Sequence, residues 1–383
     1  MCGYNYRVKV ILFANTDWYL YHYRLPLAQA MQARGWEILA LSPPGDYTAR
    51  LQQAGIRWRP FPFSRRGKNP LSDLDLLRRL VKIYRAEQPD AVHHFTIKPV
   101  LYGSLAARWL KIPTIVNAIP GLGHVFIDES IPGRALRRAV MQFYRFALAG
   151  TQVIFQNPDD QALFSHYKLV REGQHYLIRG SGVDVERLAP LPEPQGDPVA
   201  ALPARLLWPK GVAEFVAAAQ RLKSEGLAAR FALIGRGDPD SPQSVPDAQL
   251  HAWADEGAVE WWGWTDEVFS IYERAHIICL PTYYGEGVPR SLLEAAACGR
   301  PIVATDQPGC REIVQHGRNG LLVEVQDIDG LADALRTLIT DPLLRQQMGG
   351  RGRALVVEKF SVDQVIRETL AVYTARKKDY NKH

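Results

Sequence analysis

The sequence predicts an α/β protein of two doubly wound, Rossmann-like parallel-sheet domains facing across a cleft, with the last helix packed back on the first domain. Three observations predict it. Short, continuous apolar runs alternate with helical patterns, as expected of parallel strands buried on both faces. The alternation occurs twice, on either side of a proline-rich stretch. The 383 residues suit two or three domains of ordinary size. The first domain is expected over residues 1–185 together with a helix at 362–383, and the second over 186–361.

The elements follow in order. Residues 8–14 (VKVILFA) form a β-branched, apolar run, and 25–34 carry helix formers ending at Gly35, a natural helix stop. Residues 36–41, 91–95, 113–117 and 152–155 repeat the strand signal, and 73–87, 100–110 and 134–149 the helical one. Between 180 and 204 the texture changes. Pro190, Pro192, Pro194, Pro198 and Pro203 crowd together with Gly196, a linker or domain edge. The second series has strands at 230–234, 259–262, 276–281, 301–304 and 320–323, with helices at 211–224, 289–298 and 331–338. A long helical pattern at 361–378 closes the chain.

Composition bounds the class. At 47% apolar and 22% charged residues the chain is neither disordered nor fibrous. Its four cysteines, Cys2, Cys279, Cys298 and Cys310, lack CxxC or CxxH spacing, so neither a disulfide framework nor a structural zinc site is expected. No run approaches the roughly 20 apolar residues that span a bilayer. The N-terminal run passes into Asn15-Thr16-Asp17 without a small-residue cleavage site, which predicts a cytoplasmic protein. Charge is uneven. Residues 1–180 hold 24 Lys+Arg against 12 Asp+Glu, a balance of +12, and the remainder −6, giving the overall +6. A basic half predicts a face that meets a polyanion, either anionic lipid or nucleic acid.

Two constellations carry chemistry. In 280–305, LPTYYGEGVPRSLLEAAACGRPIVAT, a strand ends at Pro281, a loop holds Glu286 and Gly287, and a helix opens at Pro289, where a missing N–H costs nothing. Such a helix start suits a phosphate. Glu294 lies one to two turns inside, and its carboxylate can accept from vicinal sugar or ribose hydroxyls. The Glu-x7-Glu spacing alone recurs by chance; the context carries the reading. Further back, ARLLWPKG (204–211) sets Arg205 at the end of a strand and Lys210 on the loop opening the next helix, two cations able to reach one diphosphate. Three Asp-x-Asp pairs, Asp73/Asp75, Asp238/Asp240 and Asp327/Asp329, are read as helix caps or loop residues rather than a metal site.

These segments, with PIVA (301–304), GCREIV (309–314) and NGLLV (319–323), resemble the retaining glycosyltransferases of family 4, which have the GT-B fold. NTDWYLYHYRLPLAQA (15–30), HHFTIKPVLYGSLAAR (93–108) and GLGHVF (121–126) are similar to the bacterial subgroup that extends undecaprenyl-diphosphate-linked sugars with α-linked N-acetylgalactosamine or a related hexose. The resemblance covers nearly the whole chain. It implies a UDP-sugar donor and a lipid-linked saccharide acceptor, with no cofactor and no metal. Arg205 and Lys210 would bind the donor diphosphate and neutralise the departing nucleotide, Glu294 would hold the ribose, and Glu286 would contact the donor sugar. Gly287, Val288 and Pro289 complete the implied donor site. His124 occupies a position that often touches the donor sugar, although this subgroup often has an aromatic there. Asn15-Thr16-Asp17 replaces the Gly-Gly pair that many relatives carry after the first strand. Acceptor contacts are expected from Asn15, Asp17, Arg24, His94 and Lys98; His94, beside His93 at a strand end, also suits a packing role. Retention would proceed by front-side attack, with Glu286 as nucleophile left open.

The basic helix 134–148 carries Arg134, Arg137, Arg138 and Arg145 among aromatic residues, and a separate loop, ahead of the 73–87 helix, carries Arg65, Arg66 and Lys68. They predict contact with an anionic membrane surface, at the inner face of the plasma membrane. The competing reading buries the apolar residues in the core and leaves the arginines solvated. No nucleic-acid reader motif is present. Other functions open to such a chain are a nucleotide-sugar epimerase of the same fold and a non-catalytic binding module.

Overall fold

The computed structural model describes residues 8–64, 70–121 and 131–375. Two compact units emerge: residues 1–182 with 362–383, and residues 183–361.

The first unit is built on a seven-stranded sheet. Its strands are β1 (Lys9–Phe13), β2 (Glu37–Ser42), β3 (Arg57–Pro60), β4 (Ala91–Phe95), β5 (Thr114–Ile119), β6 (Gln152–Phe155) and β7 (His175–Leu177). Their order is β3-β2-β1-β4-β5-β6-β7, every pair parallel. Both faces are covered, which is why β1 reads as an unbroken apolar run. Val10 and Leu12 pack with Leu27, Met31 and Tyr373 on one side. Ile11 and Phe13 pack with Leu76, Leu80 and Tyr84 on the other. Each such buried side chain contributes about 1.5–3 kcal/mol. The C-terminal helix Val362–Ala375 belongs to this unit, as the sequence predicts, and Tyr373 Oη lies 2.8 Å from His93 Nδ1.

The second unit holds six parallel strands, β8 (Val199–Pro203), β9 (Arg230–Ile234), β10 (Glu260–Gly263), β11 (Ile277–Leu280), β12 (Ile302–Thr305) and β13 (Gly320–Val323), in the order β10-β9-β8-β11-β12-β13. Ala201, Ile278 and Leu280 pack against Leu292 and Leu293 on one face. Leu202, Ile277 and Val303 pack against Phe215 and Leu335 on the other.

Several expectations need correction. The edge strands β3 and β7 go unpredicted because RWRP and HYL lack an apolar run, an edge strand being only partly buried. The proline-rich stretch contains β8, a central strand, with Pro203 at its last position. Arg205 therefore lies two residues beyond the strand. Two of the prolines before β8 are anchored rather than loose: the Pro192 carbonyl accepts from Arg300 Nη2 (2.7 Å), and the Pro194 carbonyl pairs with His276 Nε2 (3.0 Å). An 18-residue helix, Pro342–Lys359, was not foreseen.

In each sheet the chain reverses direction of growth once, between β1 and β4 and between β8 and β11. Ligands in open α/β sheets bind at such switch points, beyond the carboxyl ends of the strands. The loops after β8 and β11 are the ones that carry Lys210 and Glu286.

Candidate active site

Beyond β8 the chain makes a tight turn at Trp208–Lys210 and enters the helix Val212–Ser224 through Gly211. Gly211 has φ +77°, and a Cβ there would stand 2.1 Å from the Pro281 carbonyl oxygen. Only glycine lets the two loops touch. Thr282 Oγ1 and Tyr283 N both donate to the Pro209 carbonyl, at 3.1 and 2.9 Å, and Thr305 Oγ1 donates to the Thr282 carbonyl. The loop after β11 is thereby tied to the loop after β8.

This tie brings Lys210 to Glu286. The ammonium donates to Glu286 Oε1 and sits 5.3 Å from the Tyr284 ring centroid. Gly287 and Val288 lead into Pro289, which is the N-cap of the helix Arg290–Ala297 rather than its first residue (φ −64°, ψ 120°). Gly309 is placed so that a Cβ would stand 2.0 Å from the Gly287 carbonyl oxygen. A bare backbone at 309 thus backs the Glu286-Gly287 turn. Glu294 is buried four residues into that helix. Tyr272 Oη donates to its Oε2 at 3.0 Å, and Arg290 Nε to its Oε1 at 2.7 Å.

Arg205 is half exposed and pairs with the buried Asp238 at 3.1 Å rather than with Glu286. Asp238 is itself set by local bonds: its amide donates to Ser244 Oγ at 3.0 Å, and its Oδ1 accepts from Asp240 N at 3.2 Å. Asp238 thus does more than the loop residue its sequence context suggests, and no local pattern marks Tyr272. Asp73 also differs from expectation. It is not a cap but accepts from Lys98 Nζ and Tyr102 Oη, both at 2.7 Å. Asp327 does cap its helix, accepting from Gly330 N at 2.9 Å.

In the first unit the acceptor candidates separate. Asn15 follows β1, half-buried. Asp17 is consumed structurally: its carboxylate accepts from Trp18 N (2.8 Å), Tyr47 N (2.9 Å) and Thr48 Oγ1 (3.1 Å), pinning the following loop. Its expected acceptor role is corrected on that ground. His94 is corrected too. It is fully buried, with Nδ1 2.8 Å from Asn117 Oδ1 and Nε2 3.0 Å from Tyr84 Oη. Burial lowers its pKa from 6.5 to about 4. A neutral ring donating to Asn117 and accepting from Tyr84 fits both contacts, and it offers a diphosphate no charge. Lys98 is paired with Asp73. Arg24 is buried over the Phe95 ring, 4.4 Å from its centroid, and donates to Tyr19 Oη at 2.7 Å. No carboxylate among the described residues pairs with it.

Of the basic residues, Arg65, Arg66, Lys68 and the donor-site candidate His124 lie outside the described residues. In the helix Ile131–Ala147, Tyr144 is buried and Val140, Met141 and Phe143 pack on the core, as the competing reading has it. Arg145 is not free for a surface: it donates to the Tyr167 carbonyl at 2.8 Å and to Gln142 Oε1 at 2.9 Å. Arg134 and Arg138 are exposed and Arg137 half-buried. Phe146 (64% exposed) and Trp109 (69%) stand in solvent, with Arg108 stacked 5.4 Å from the Phe146 centroid. Among the described residues no helix is long and apolar enough to cross a membrane.

Comparison with known proteins agrees with this division. Residues 9–158 match the family described as glycosyl transferase 4-like, and residues 197–341 match glycosyl transferases group 1. A curated Campylobacter jejuni protein, N,N'-diacetylbacillosaminyl-diphospho-undecaprenol alpha-1,3-N-acetylgalactosaminyltransferase, is 28% identical over 340 residues, 85% of this chain and 88% of that one. The Escherichia coli UDP-Gal:alpha-D-GlcNAc-diphosphoundecaprenol alpha-1,3-galactosyltransferase is 24% identical, over 76% and 77% of the two chains. Among solved structures, a Rickettsia africae glycosyltransferase superposes with a TM-score of 0.79 at 18% identity, covering 98% of this chain and all of that one. Anabaena Alr3699/HepE in complex with UDP superposes with a TM-score of 0.77 at 18% identity, over 96% and 100%. The fold is therefore that of the GT-B glycosyltransferases.

Proposed function

Because the chain belongs to the glycosyltransferases, with a 4-like N-terminal half and a group 1 C-terminal half, we propose that it transfers a hexose or N-acetylhexosamine from a UDP-sugar to a polyprenyl-diphosphate-linked saccharide, with retention, in bacterial surface glycan assembly. What supports the substrate class is the similarity over most of the chain to two transferases whose names specify undecaprenyl-diphosphate-linked acceptors. What supports the chemistry is one observation: a shielded lysine, Lys210, at the sheet's switch point, held by a carboxylate that a diphosphate can replace.

In this reading the donor diphosphate takes the Lys210 ammonium from Glu286, and Arg205 swings from Asp238 to the same oxygens. The positive end of the Arg290–Ala297 helix dipole faces the same charge. Glu286, released, accepts from a hydroxyl of the donor sugar, beside Gly287, Val288 and Pro289. Glu294 accepts from the ribose hydroxyls. The bond from the anomeric carbon to the β-phosphate oxygen breaks as the acceptor hydroxyl oxygen attacks from the same face. The acceptor proton passes to a β-phosphate oxygen, and UDP leaves with its charge met by fixed cations. No step needs a metal, so turnover with the natural pair survives EDTA. Asn15, Arg24 and Lys98 remain the acceptor-facing candidates. Arg134, Arg138, Phe146 and Trp109 would hold the enzyme against the anionic inner face of the plasma membrane, where a lipid-linked acceptor resides.

Radiolabelled UDP-hexoses and UDP-N-acetylhexosamines, incubated with a panel of polyprenyl-diphosphate saccharides, test the activity: label must move to the lipid-linked product. Label isomerised without acceptor would instead reveal an epimerase. Sedimentation with phosphatidylglycerol vesicles, compared with phosphatidylcholine, tests the membrane reading, which fails if binding is equal on both.

A further inference from the structure

Tyr272 is a buried residue that the chemistry above does not use. It sits on the helix Val268–Arg274, just before β11. Its hydroxyl lies 3.0 Å from Glu294 Oε2 and 3.2 Å from the Ser291 carbonyl oxygen. The hydroxyl has a single proton for the two acceptors, and the charged carboxylate makes the stronger bond. Burial and the Glu294 charge both push the phenol pKa well above its usual 10, so it remains a donor. The residue is itself anchored, because the buried Arg300 donates through Nε to the Tyr272 carbonyl at 2.8 Å.

The count of bonds matters. A carboxylate offers about four lone-pair positions, two on each oxygen. Tyr272 takes one on Oε2 and Arg290 one on Oε1. The described residues leave one position on each oxygen, which is what a vicinal diol needs to bind both hydroxyls at once. The torsion at the end of a glutamate side chain is broad and costs little to turn. Two donors, one per oxygen, remove that freedom.

We propose that Tyr272 is a positioning residue that fixes Glu294 for two-point recognition of a ribose 2′,3′-diol, so that the donor site selects ribonucleoside diphosphates over 2′-deoxyribonucleoside diphosphates. The inference rests on the reading that Glu294 holds the donor ribose and deepens it. Sugars carried on a 2′-deoxynucleotide fall outside the donor class, because they leave one oxygen of a fixed, buried carboxylate without its partner.

The test is calorimetric titration of the full chain with UDP, with 2′-deoxyuridine diphosphate, and with inorganic pyrophosphate, which has no ribose. Wild type is expected to favour UDP over the deoxy analogue at least about tenfold, the size of a hydrogen bond to a charged group. Tyr272→Phe should reduce that preference to about threefold or less, and pyrophosphate affinity should hold within about twofold. Glu294→Gln separates the two levels. If wild type shows no preference, or Glu294→Gln keeps it, the ribose reading itself fails. If Glu294→Gln abolishes the preference but Tyr272→Phe retains it, only the role of Tyr272 is overturned. Loss of the folded circular-dichroism signal in Tyr272→Phe also overturns it, since the hydroxyl would then serve the fold.

Discussion

Lys210 and Glu286 neutralise each other across the loops that follow two neighbouring strands, with side chains only 10% and 17% exposed. An ion pair this shielded is held by strong attraction but has also given up much of its hydration. A diphosphate arriving at Lys210 therefore competes with Glu286 for the same charge, and that competition makes the site's response to mutation asymmetric.

Glu286→Gln removes the competitor while keeping the shape. UDP, which carries no sugar for residue 286 to hold, is expected to bind the variant about threefold to tenfold more tightly than wild type. Turnover with the UDP-sugar should fall at the same time, because the sugar loses its charged acceptor. Titration with UDP, paired with steady-state rates, checks both signs. Weaker UDP binding in the variant contradicts the competition.

Asp238 pairs with Arg205 at 3.1 Å and, in the proposed reading, holds its guanidinium ready for the donor diphosphate. In Asp238→Asn the guanidinium keeps a weaker partner and loses its fixed direction. Donor KM should rise several-fold with kcat changed less, whereas Arg205→Ala should lower both kcat and kcat/KM. Equal kinetics for Asp238→Asn and wild type would remove Asp238 from the account.

Gly309→Ala places a methyl 2.0 Å from the Gly287 carbonyl oxygen, so one of two backbones must move. Overpacking of this kind costs about 1–3 kcal/mol. The expected outcome is a folded protein with a lower Tm and a donor KM raised at least about tenfold, since the displaced turn is the one bearing Glu286. An unchanged KM would show that the turn absorbs the shift.

Why some of this was legible in the sequence and some not follows from where each signal resides. β1, β11 and β12 are buried on both faces, so their sequences are unbroken apolar runs. β8 is only half legible: a strand is expected to end at Arg205, but VAALP lies among prolines, which mask that it spans Val199–Pro203. The helix Pro342–Lys359 carries Gly349, Gly350 and Gly352, which read as breaks; Gly349 is there because a Cβ would stand 1.9 Å from the Gly299 carbonyl oxygen. The meeting of Lys210 with Glu286, and the place of Glu294 inside its helix, are legible because each residue sits at a fixed offset from a strand end or helix start. Tyr272 and Asp238 reach the site only through tertiary packing, which leaves no local pattern. Asp17 and His94 misled for the reverse reason: polar residues at strand ends also serve to satisfy buried loops.

His94 gives stability a pH dependence. Its pKa is 6.5 when unperturbed and about 4 in the folded protein. Below pH 6.5 the unfolded chain gains a proton that the native chain does not, so stability falls as pH drops from 6.5 towards 4. The loss reaches about 3 kcal/mol at most, taking about 1.4 kcal/mol for each pH unit between the two values. The Tm of wild type should decline through this window, and His94→Gln should decline less steeply. Parallel profiles for the two proteins would assign the acid sensitivity elsewhere.

In the proposed reaction, Lys210 supplies the counter-charge for the nucleotide's β-phosphate. Titration of Lys210→Met with UDP and with UMP, which lacks that phosphate, tests it most directly. UDP affinity is expected to fall at least about tenfold while UMP affinity stays within about threefold of wild type, erasing the preference for the diphosphate. A Lys210→Met protein that binds UDP as wild type does, or that loses UDP and UMP equally, contradicts it.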